Sequence, residues 1–278
     1  MTVARAQTPP ITSEAEAGPR LYDMHCHLDF LSEPQALAEE ASRTGIGAFS
    51  TTVTPTGYAP AHAALADVPG FRIGLGAHPW WIADGRIGET DLVLFEQLAP
   101  DVPFIGEVGL DFTPRRASTF DAQASAFERI AAICASSGGK LLSLHAVRAA
   151  DAVLDILERT GCLRTCRCVF HWFSCSSDEL TRAVRAGCYF SINPRMFETK
   201  RGRAYARTIP PDLLLLETDE PPELDATLTC KSWHAELAGT LERLAELRQT
   251  APGPRAAALS PAELGTLIAH TSEELLGL

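Results

Sequence analysis

The feature that most constrains the fold is an alternation, repeated along the chain, of short apolar runs with amphipathic stretches. Eight runs have the composition of buried parallel strands, at residues 21–25, 47–54, 71–77, 103–110, 140–145, 168–173, 188–192 and 213–218. Eight βα units in about 250 residues favour a closed (β/α)8 barrel over an open doubly wound sheet. The sequence contains neither a GxGxxG nor a Walker motif, which supports the barrel.

The stretches between the strands have apolar residues three and four positions apart, as amphipathic helices do. Helices are predicted, for example, at residues 34–44, 90–98, 119–136, 149–159, 233–248 and 261–276. The pairs Ser176/Glu179 and Ser260/Glu263 have the spacing of a capping box, in which two side chains satisfy free backbone donors. A Pro/Gly-containing segment at residues 251–254 is expected to join the last two helices.

Residues 1–20 have no apolar periodicity and are predicted to form a flexible tail, so that one barrel domain occupies residues 21–278. We find no apolar run of the length needed for a membrane span and no secretory h-region. The sequence therefore predicts a soluble, cytoplasmic protein without membrane association.

The chain has a net charge of −11 and eight cysteines. The charge repels polyanions at long range, which counts against a broad nucleic-acid-coating surface but not against a nuclease whose metal ions neutralise its carboxylates. Reduced thiols are expected. Cys162, Cys166 and Cys168 are clustered but lack paired CxxC spacing, so a zinc site there is disfavoured.

Chemically active residues lie at the predicted carboxyl ends of the strands, which converge on one mouth of a barrel. They are His25, His27, His78, Glu107, His145, His171 and Asp219. Each histidine taken singly is better explained as a core or cleft residue, whereas their joint placement favours a metal site. Imidazole and carboxylate donors suit Zn, Mn or Fe better than Mg or Ca.

Alternation along an extended strand predicts that His25 and His27 point to the same side of the first strand. The same rule places Asp23 on that side, one step below. The two histidines could then reach a single ion.

Six motifs resemble, in order, those of the TatD family of metal-dependent nucleases. They are DMHCHLD at 23–29, GLGAHP at 74–79, GEVGLD at 106–111, LSLH at 142–145, HWFS at 171–174 and LLLETDEP at 214–221. The segments at 138–155 and 171–180 are most similar to the TatD-like component of the Qat anti-phage system. That similarity implies a role in defence, with partner proteins of such a system.

The resemblance implies a metal-dependent deoxyribonuclease acting on DNA, single-stranded or at its ends, with two divalent ions (Zn, Mn or Mg). It places His25, His27 and Asp219 on one ion, His145 and His171 on the other, and Glu107 between them. Asp219 would orient the attacking water or accept its proton. A metal pair suits this chemistry because water is a poor nucleophile and a phosphodiester a poor electrophile.

Substrate contacts are expected from His78, Arg148, Arg195 and Arg201. His78 stands alone on its strand and is assigned to phosphate. Trp80 and Trp81 could stack an unpaired base or simply cap the barrel end. Arg195 and Arg201 belong to a run of five cations after the seventh strand, which could equally be a solvated helix face.

The chain departs from the family pattern after His145, where Ala146 and Val147 precede Arg148, and in the loop after Asp219. Two alternatives remain open: an amidohydrolase acting on a lactone, cyclic amide or nucleobase, and a non-catalytic subunit of a defence complex. The first often bridges its metals with a carboxylated lysine where this chain has Glu107. The second predicts loss of a metal ligand, and none is missing from the sequence.

Overall fold

The computed structural model describes residues 20–224, 226–249 and 259–278. The chain forms a closed barrel of eight parallel strands in the order β1 to β8, which confirms the predicted (β/α)8 fold. The connection predicted at 251–254 and the tail predicted at 1–20, apart from Arg20, lie outside the described residues. No helix in the described ranges is long and apolar enough to cross a bilayer.

The strands occupy the predicted runs with shifts of a few residues at their ends. They are β1 (Leu21–Cys26), β2 (Ile46–Thr51), β3 (Phe71–Ala77), β4 (Phe104–Asp111), β5 (Leu141–Val147), β6 (Arg167–His171), β7 (Tyr189–Ile192) and β8 (Leu214–Leu216). Nearly every strand residue is buried, as expected when helices cover one face and the barrel interior the other.

Helices alternate with the strands on the outside of the barrel. In the described part of the chain they are α1 (Pro34–Arg43), α2 (Pro55–Leu65), α3 (Pro79–Ala83), α4 (Glu89–Leu98), α5 (Phe120–Ser137), α6 (Ala150–Thr160), α7 (Cys162–Thr165), α8 (Ser177–Arg185), α9 (Lys200–Thr208), α10 (Cys230–Gln249) and α11 (Pro261–Leu276). Both predicted capping boxes are confirmed, at the starts of α8 and α11.

An irregularity in β1 changes which side chains face the barrel interior. Asp23 pairs with Ala48 of β2, but Cys26 pairs with Ser50, so three steps along β1 match two along β2. Such a β-bulge reverses the alternation of side chains beyond it.

Because of the bulge, Asp23 and His25 face opposite sides of β1. The Asp23 carboxylate accepts a hydrogen bond from Trp233 of α10 at 2.7 Å, outside the barrel, whereas Met24 joins the interior apolar cluster. The prediction that Asp23 lies on the same side as His25 and His27 is therefore wrong. Strict alternation holds only for an unbroken strand.

A second bulge lies in β4. The step from Ile105 to Val108 matches only two positions on each neighbouring strand. Glu107 lies within this bulge, and its backbone N–H donates to the Thr52 carbonyl at 2.8 Å. A Cβ at Gly76 would lie 1.6 Å from that same carbonyl oxygen, so only glycine permits this close packing of backbones.

The outward-facing Asp23 joins β1 to β8 and α10. Its carboxylate accepts hydrogen bonds from the Thr218 hydroxyl at 2.6 Å, the Thr218 backbone N–H at 3.1 Å and the His25 backbone N–H at 3.2 Å. One register pair, Asp23 with Leu216, is assigned between β1 and β8. Hydrogen bonds to the Asp23 side chain therefore supply much of the polar contact between β1 and β8. We call this junction the Asp23 seam.

We predict that Thr218→Val destabilises the fold by about 1 to 3 kcal/mol, because it removes the hydroxyl donor from a buried carboxyl oxygen of Asp23 while preserving shape. The measurement is the free energy of unfolding in urea. Thr181→Val, at an exposed position of α8, is the matched control and should change stability by no more than about 0.5 kcal/mol. Equal losses in both variants would contradict the role given to the Asp23 seam.

Candidate metal centre

The centre of the site is the carboxylate of Glu107, which is 1% exposed. Three imidazoles surround its Oε1 atom: His145 Nδ1 at 2.6 Å, His171 Nε2 at 3.0 Å and His78 Nε2 at 3.1 Å. They come from the ends of β5, β6 and β3. Residues far apart in sequence therefore converge on one oxygen atom.

The other oxygen of Glu107 faces a separate pair of histidines. His25 Nε2 and His27 Nε2 each lie 3.3 Å from Oε2. Asp219 Oδ1 lies 3.6 Å from His25 Nε2 and 3.3 Å from His27 Nε2, so it completes this half of the site. Glu107 thus lies between two groups of donors.

Asp219 reaches this position through a left-handed backbone conformation with φ of 62°. Such a conformation is uncommon for a residue with a side chain and is often found at functional sites. Its backbone N–H donates to the His25 carbonyl at 2.9 Å, and the His27 N–H donates to the Glu220 carbonyl at the same distance. These bonds fix the β8 loop against the end of β1.

The histidines of the His25/His27 half are oriented through their Nδ1 atoms. His25 Nδ1 lies 2.6 Å from the Ser143 hydroxyl, and His27 Nδ1 lies 3.2 Å from the Thr51 carbonyl oxygen. Both Nε2 atoms are consequently directed at the carboxylates. Ser143 and Thr51 are ordinary buried strand residues in the sequence, and only their placement across the barrel shows this role.

Glu217 contacts His171 from the far side of the ring, with Oε1 3.7 Å from Nδ1. Its other oxygen accepts hydrogen bonds from the Ser191 hydroxyl and, at 3.2 Å, from the Trp172 N–H. A carboxylate in this position can orient the histidine through its second ring nitrogen.

The donor atoms fit divalent metal ions. Three groups, each with atoms within 4.8 Å of one another, could hold an ion: His25/His27/Asp219, His25/Glu107/His171 and His78/Glu107/His145. His25 belongs to two of these groups, and its Nε2 atom is buried and has no hydrogen-bond partner. Buried nitrogen and carboxylate atoms of this kind are suited to Zn, Mn or Fe.

Charge compensation in the cluster is mutual. Burial raises the pKa of Glu107, but the imidazoles of His78, His171 and His25 outweigh burial and hold that pKa well below its usual range. Burial lowers the pKa of His27, but Asp219 and Glu107 outweigh it and raise that pKa well above the ordinary value. Burial lowers the pKa of His25 and lowers that of His78 to about 4, so these two rings are neutral. Without metal, a proton on His27 therefore supplies part of the charge that divalent ions would supply.

The cluster opens into a cavity of about 500 Å³ at the barrel mouth, with an aromatic and basic rim. The Arg86 guanidinium lies 3.9 Å from the Trp81 ring centroid, Arg116 lies 5.0 Å from that of Trp80, and Arg195 lies 5.4 Å from that of Trp172. Arg86 and Arg195 line the cavity, whereas Arg116 does not and pairs with Asp84 at 2.9 Å. Sequence patterns did not identify Arg86, because it does not lie in a basic run.

The structure places only some of the residues predicted to bind substrate at the cavity. His78 and Arg195 line the cavity, whereas Arg148 and Arg201 are exposed and do not. The Arg201 guanidinium donates to the Ser174 carbonyl at 3.3 Å and that of Arg203 to the Phe197 carbonyl at 2.6 Å. These two members of the basic run thus also anchor α9 to neighbouring segments.

The cysteine cluster contributes no metal ligands to these groups. All eight cysteines, every one of them within the described ranges, are free thiols, and none belongs to the three candidate metal-binding groups. The expectation of reduced thiols agrees with this geometry.

Comparison with known proteins identifies the family. The model of the TatD-related DNases matches residues 22–276. The 3'-5' ssDNA/RNA exonuclease TatD of Musicola paradisiaca is 33% identical over 201 residues, which cover 69% of this chain and 74% of that protein. The exonuclease of the same name from Edwardsiella piscicida is 39% identical over 126 residues, 44% of this chain and 47% of that protein.

Solved structures show the same fold. The YJJV TatD homologue of Escherichia coli superposes with a TM-score of 0.75 over 93% of this chain and 98% of that one, at 21% sequence identity. Together with the match of the family model over almost the whole barrel, these similarities show that the chain belongs to the TatD-related DNase family of hydrolases.

Proposed function

We propose that this protein is a metal-dependent deoxyribonuclease that hydrolyses phosphodiester bonds at the ends of single-stranded DNA, using two divalent ions. The observation that carries the proposal is the position of Glu107, whose two oxygens face separate sets of histidines. A carboxylate in that position is suited to bridge a metal pair. The names of the related exonucleases support a single-stranded substrate.

In this mechanism His25, His27 and Asp219 would hold one ion, His145 and His171 would hold the other, and Glu107 would be shared between them. When bound, the pair would supply activation of water at neutral pH and compensation for charge on the phosphate. Asp219 is 22% exposed in its side chain and faces the cavity. Burial raises its pKa, but His27 and the other imidazoles outweigh this and lower it to about 2. Its carboxylate is therefore ionised and can orient the attacking water by accepting a hydrogen bond from it.

His78 is assigned to the phosphate. Its Nδ1 accepts a hydrogen bond from the Trp80 backbone N–H at 3.0 Å, so the Nε2 atom remains directed at the cluster. From there it can donate to a phosphate oxygen held beside Glu107. Arg195, on the opposite loop, supplies a cation at the cavity wall.

An amidohydrolase is the less favoured alternative, because the β4 position that such enzymes often fill with a carboxylated lysine is occupied by Glu107. The anti-phage role, with partner proteins in the cytoplasm, rests on the resemblance of residues 138–155 and 171–180 to the Qat component. Those segments include His145 and His171, so they contribute to the proposed metal centre as well.

The decisive test is cleavage of end-labelled single-stranded and double-stranded DNA by metal-reconstituted protein. His25→Ala and Glu107→Ala should each reduce the cleavage rate by at least about 100-fold, because loss of a metal ligand costs more activity than loss of a residue that only orients a ligand. His62→Ala is the matched control, because His62 is exposed on α2. Equal cleavage by all four proteins would assign the activity to another site or to a contaminant.

Metal binding should release protons and weaken as pH falls. Burial lowers the pKa of His171, but Glu107 and Glu217 outweigh it and raise that pKa well above its ordinary value, as happens for His27. These imidazoles therefore hold protons at neutral pH, and an ion must displace them. Calorimetric titration of the metal-free protein with Zn²⁺ in buffers of different ionisation enthalpy measures the release. A pH-independent affinity would contradict this prediction.

Substitutions of Arg195 and Arg201 should affect DNA binding differently, depending on the length of the oligonucleotide. Arg195→Gln should weaken binding of short and long oligonucleotides and reduce the salt slope by about 0.7 for each phosphate that the arginine neutralises. Arg201→Gln should affect only the longer ones, because Arg201 lies outside the cavity. Fluorescence anisotropy at several salt concentrations measures both effects; an unchanged slope for Arg195→Gln would reject its pairing with phosphate.

A further inference from the structure

One buried carboxylate outside the proposed ligand set contacts both the cavity wall and the histidine cluster. Asp111 ends β4 and is 1% exposed. Its Oδ2 accepts a hydrogen bond from the Trp80 indole N–H and lies 3.7 Å from His145 Nε2. Its Oδ1 accepts a hydrogen bond from the Thr113 backbone N–H at 2.8 Å. The proposed mechanism gives this residue no role.

The backbone of Asp111 is held from behind by Gln123 of α5, which is fully buried. The Gln123 side chain accepts a hydrogen bond from the Asp111 N–H at 2.8 Å and donates to its carbonyl at 3.1 Å. A side-chain amide that pairs with both backbone groups of one residue leaves that residue little freedom. The backbone that carries the Asp111 carboxylate is therefore fixed in position.

The two groups that Asp111 contacts belong to different parts of the site. His145 directs Nδ1 at Glu107 Oε1, 2.6 Å away, while its Nε2 is buried and has no hydrogen-bond partner. Trp80 lines the cavity and packs beside Arg116. At 3.7 Å from Asp111 Oδ2, the Nε2 atom of His145 is within the range of an electrostatic attraction although no hydrogen bond joins the two atoms.

We propose that Asp111 is a positioning residue that holds the Trp80 indole and the His145 imidazole together, so that the aromatic wall and the histidine cluster share one anchor. Its negative charge favours an N–H on His145 Nε2, which leaves the lone pair of Nδ1, on the Glu107 side of the ring, available to bind a metal ion. The consequence for nucleotide binding rests on the proposed nuclease function, because that function makes Trp80 a surface for an unpaired base.

A carboxylate is required because two acceptor oxygens are in use. Oδ1 serves Thr113, and Oδ2 serves Trp80 and faces His145. An asparagine has one acceptor oxygen and would direct an N–H₂ group at one of these donors. Asp111→Asn therefore keeps the shape of the side chain and disrupts the shared anchor.

The first test uses metal-free protein and nitrogen-15 NMR of the indole and imidazole groups, with the Trp80 signal assigned through Trp80→Phe. Asp111→Asn should shift both the Trp80 indole and the His145 ring signals. Arg116 lies 3.9 Å from Asp111 Oδ2 and pairs with Asp84 at 2.9 Å. The matched control is therefore Asp84→Asn, which alters a carboxylate beside the same arginine at an exposed position. A His145 signal that does not respond to Asp111→Asn would overturn the proposal.

The second test measures affinity without catalysis. Asp111→Asn should weaken Zn²⁺ binding about 10-fold or more, as the loss of outer partners of metal ligands does, and should weaken binding of a short oligothymidylate. Trp80→Phe should weaken only the oligonucleotide, and Asp84→Asn neither. Unchanged Zn²⁺ affinity in Asp111→Asn would overturn the positioning role. Failure of the wild type to cleave DNA, with both NMR shifts present, would instead count against the nuclease alone.

Discussion

The site depends on placing a negative charge where water cannot compensate it. Glu107 lies inside a closed barrel, and transfer of a carboxylate to such a position is costly unless cations or hydrogen-bond donors surround it. Five imidazole nitrogens lie within 3.3 Å of its two oxygens. The negative charge can be compensated by protons on His27 and His171, whose pKa values are raised, or by divalent ions held by the cluster. This exchange of protons for metal is the electrostatic basis of the proposed hydrolase.

The backbone supplies the geometry through two irregular strands. The bulge in β1 turns His25 inward while Asp23 faces outward, and the bulge in β4 places Glu107 at the centre. Each of these strands therefore contributes some residues to packing outside the barrel and neighbouring residues to the site inside it. The outward-facing Asp23 carboxylate joins β1 to β8 and α10 by hydrogen bonds. The chain segment that bears two proposed ligands therefore also helps to close the barrel.

The surface around the site reconciles an acidic protein with an anionic substrate. The net charge of −11 is a property of the whole chain, whereas the cavity rim concentrates arginines beside tryptophans. Guanidinium groups near indole rings can pair with phosphate while the rings contact bases, a combination suited to single strands. Local arrangement, more than total charge, therefore makes the mouth suitable for nucleic acid.

The sequence by itself determined the order of strands and helices, both capping boxes and the placement of His25, Glu107 and His145 on strands and of Asp219 shortly after the last strand, because periodicity and motif order are local properties. It could not determine the orientation of Asp23, because a bulge depends on pairing with a neighbouring strand. Nor could it show that Asp111 meets both Trp80 and His145, or that Arg201 lies away from the cavity. Those relations join distant segments, and only closure of the barrel brings them within contact distance.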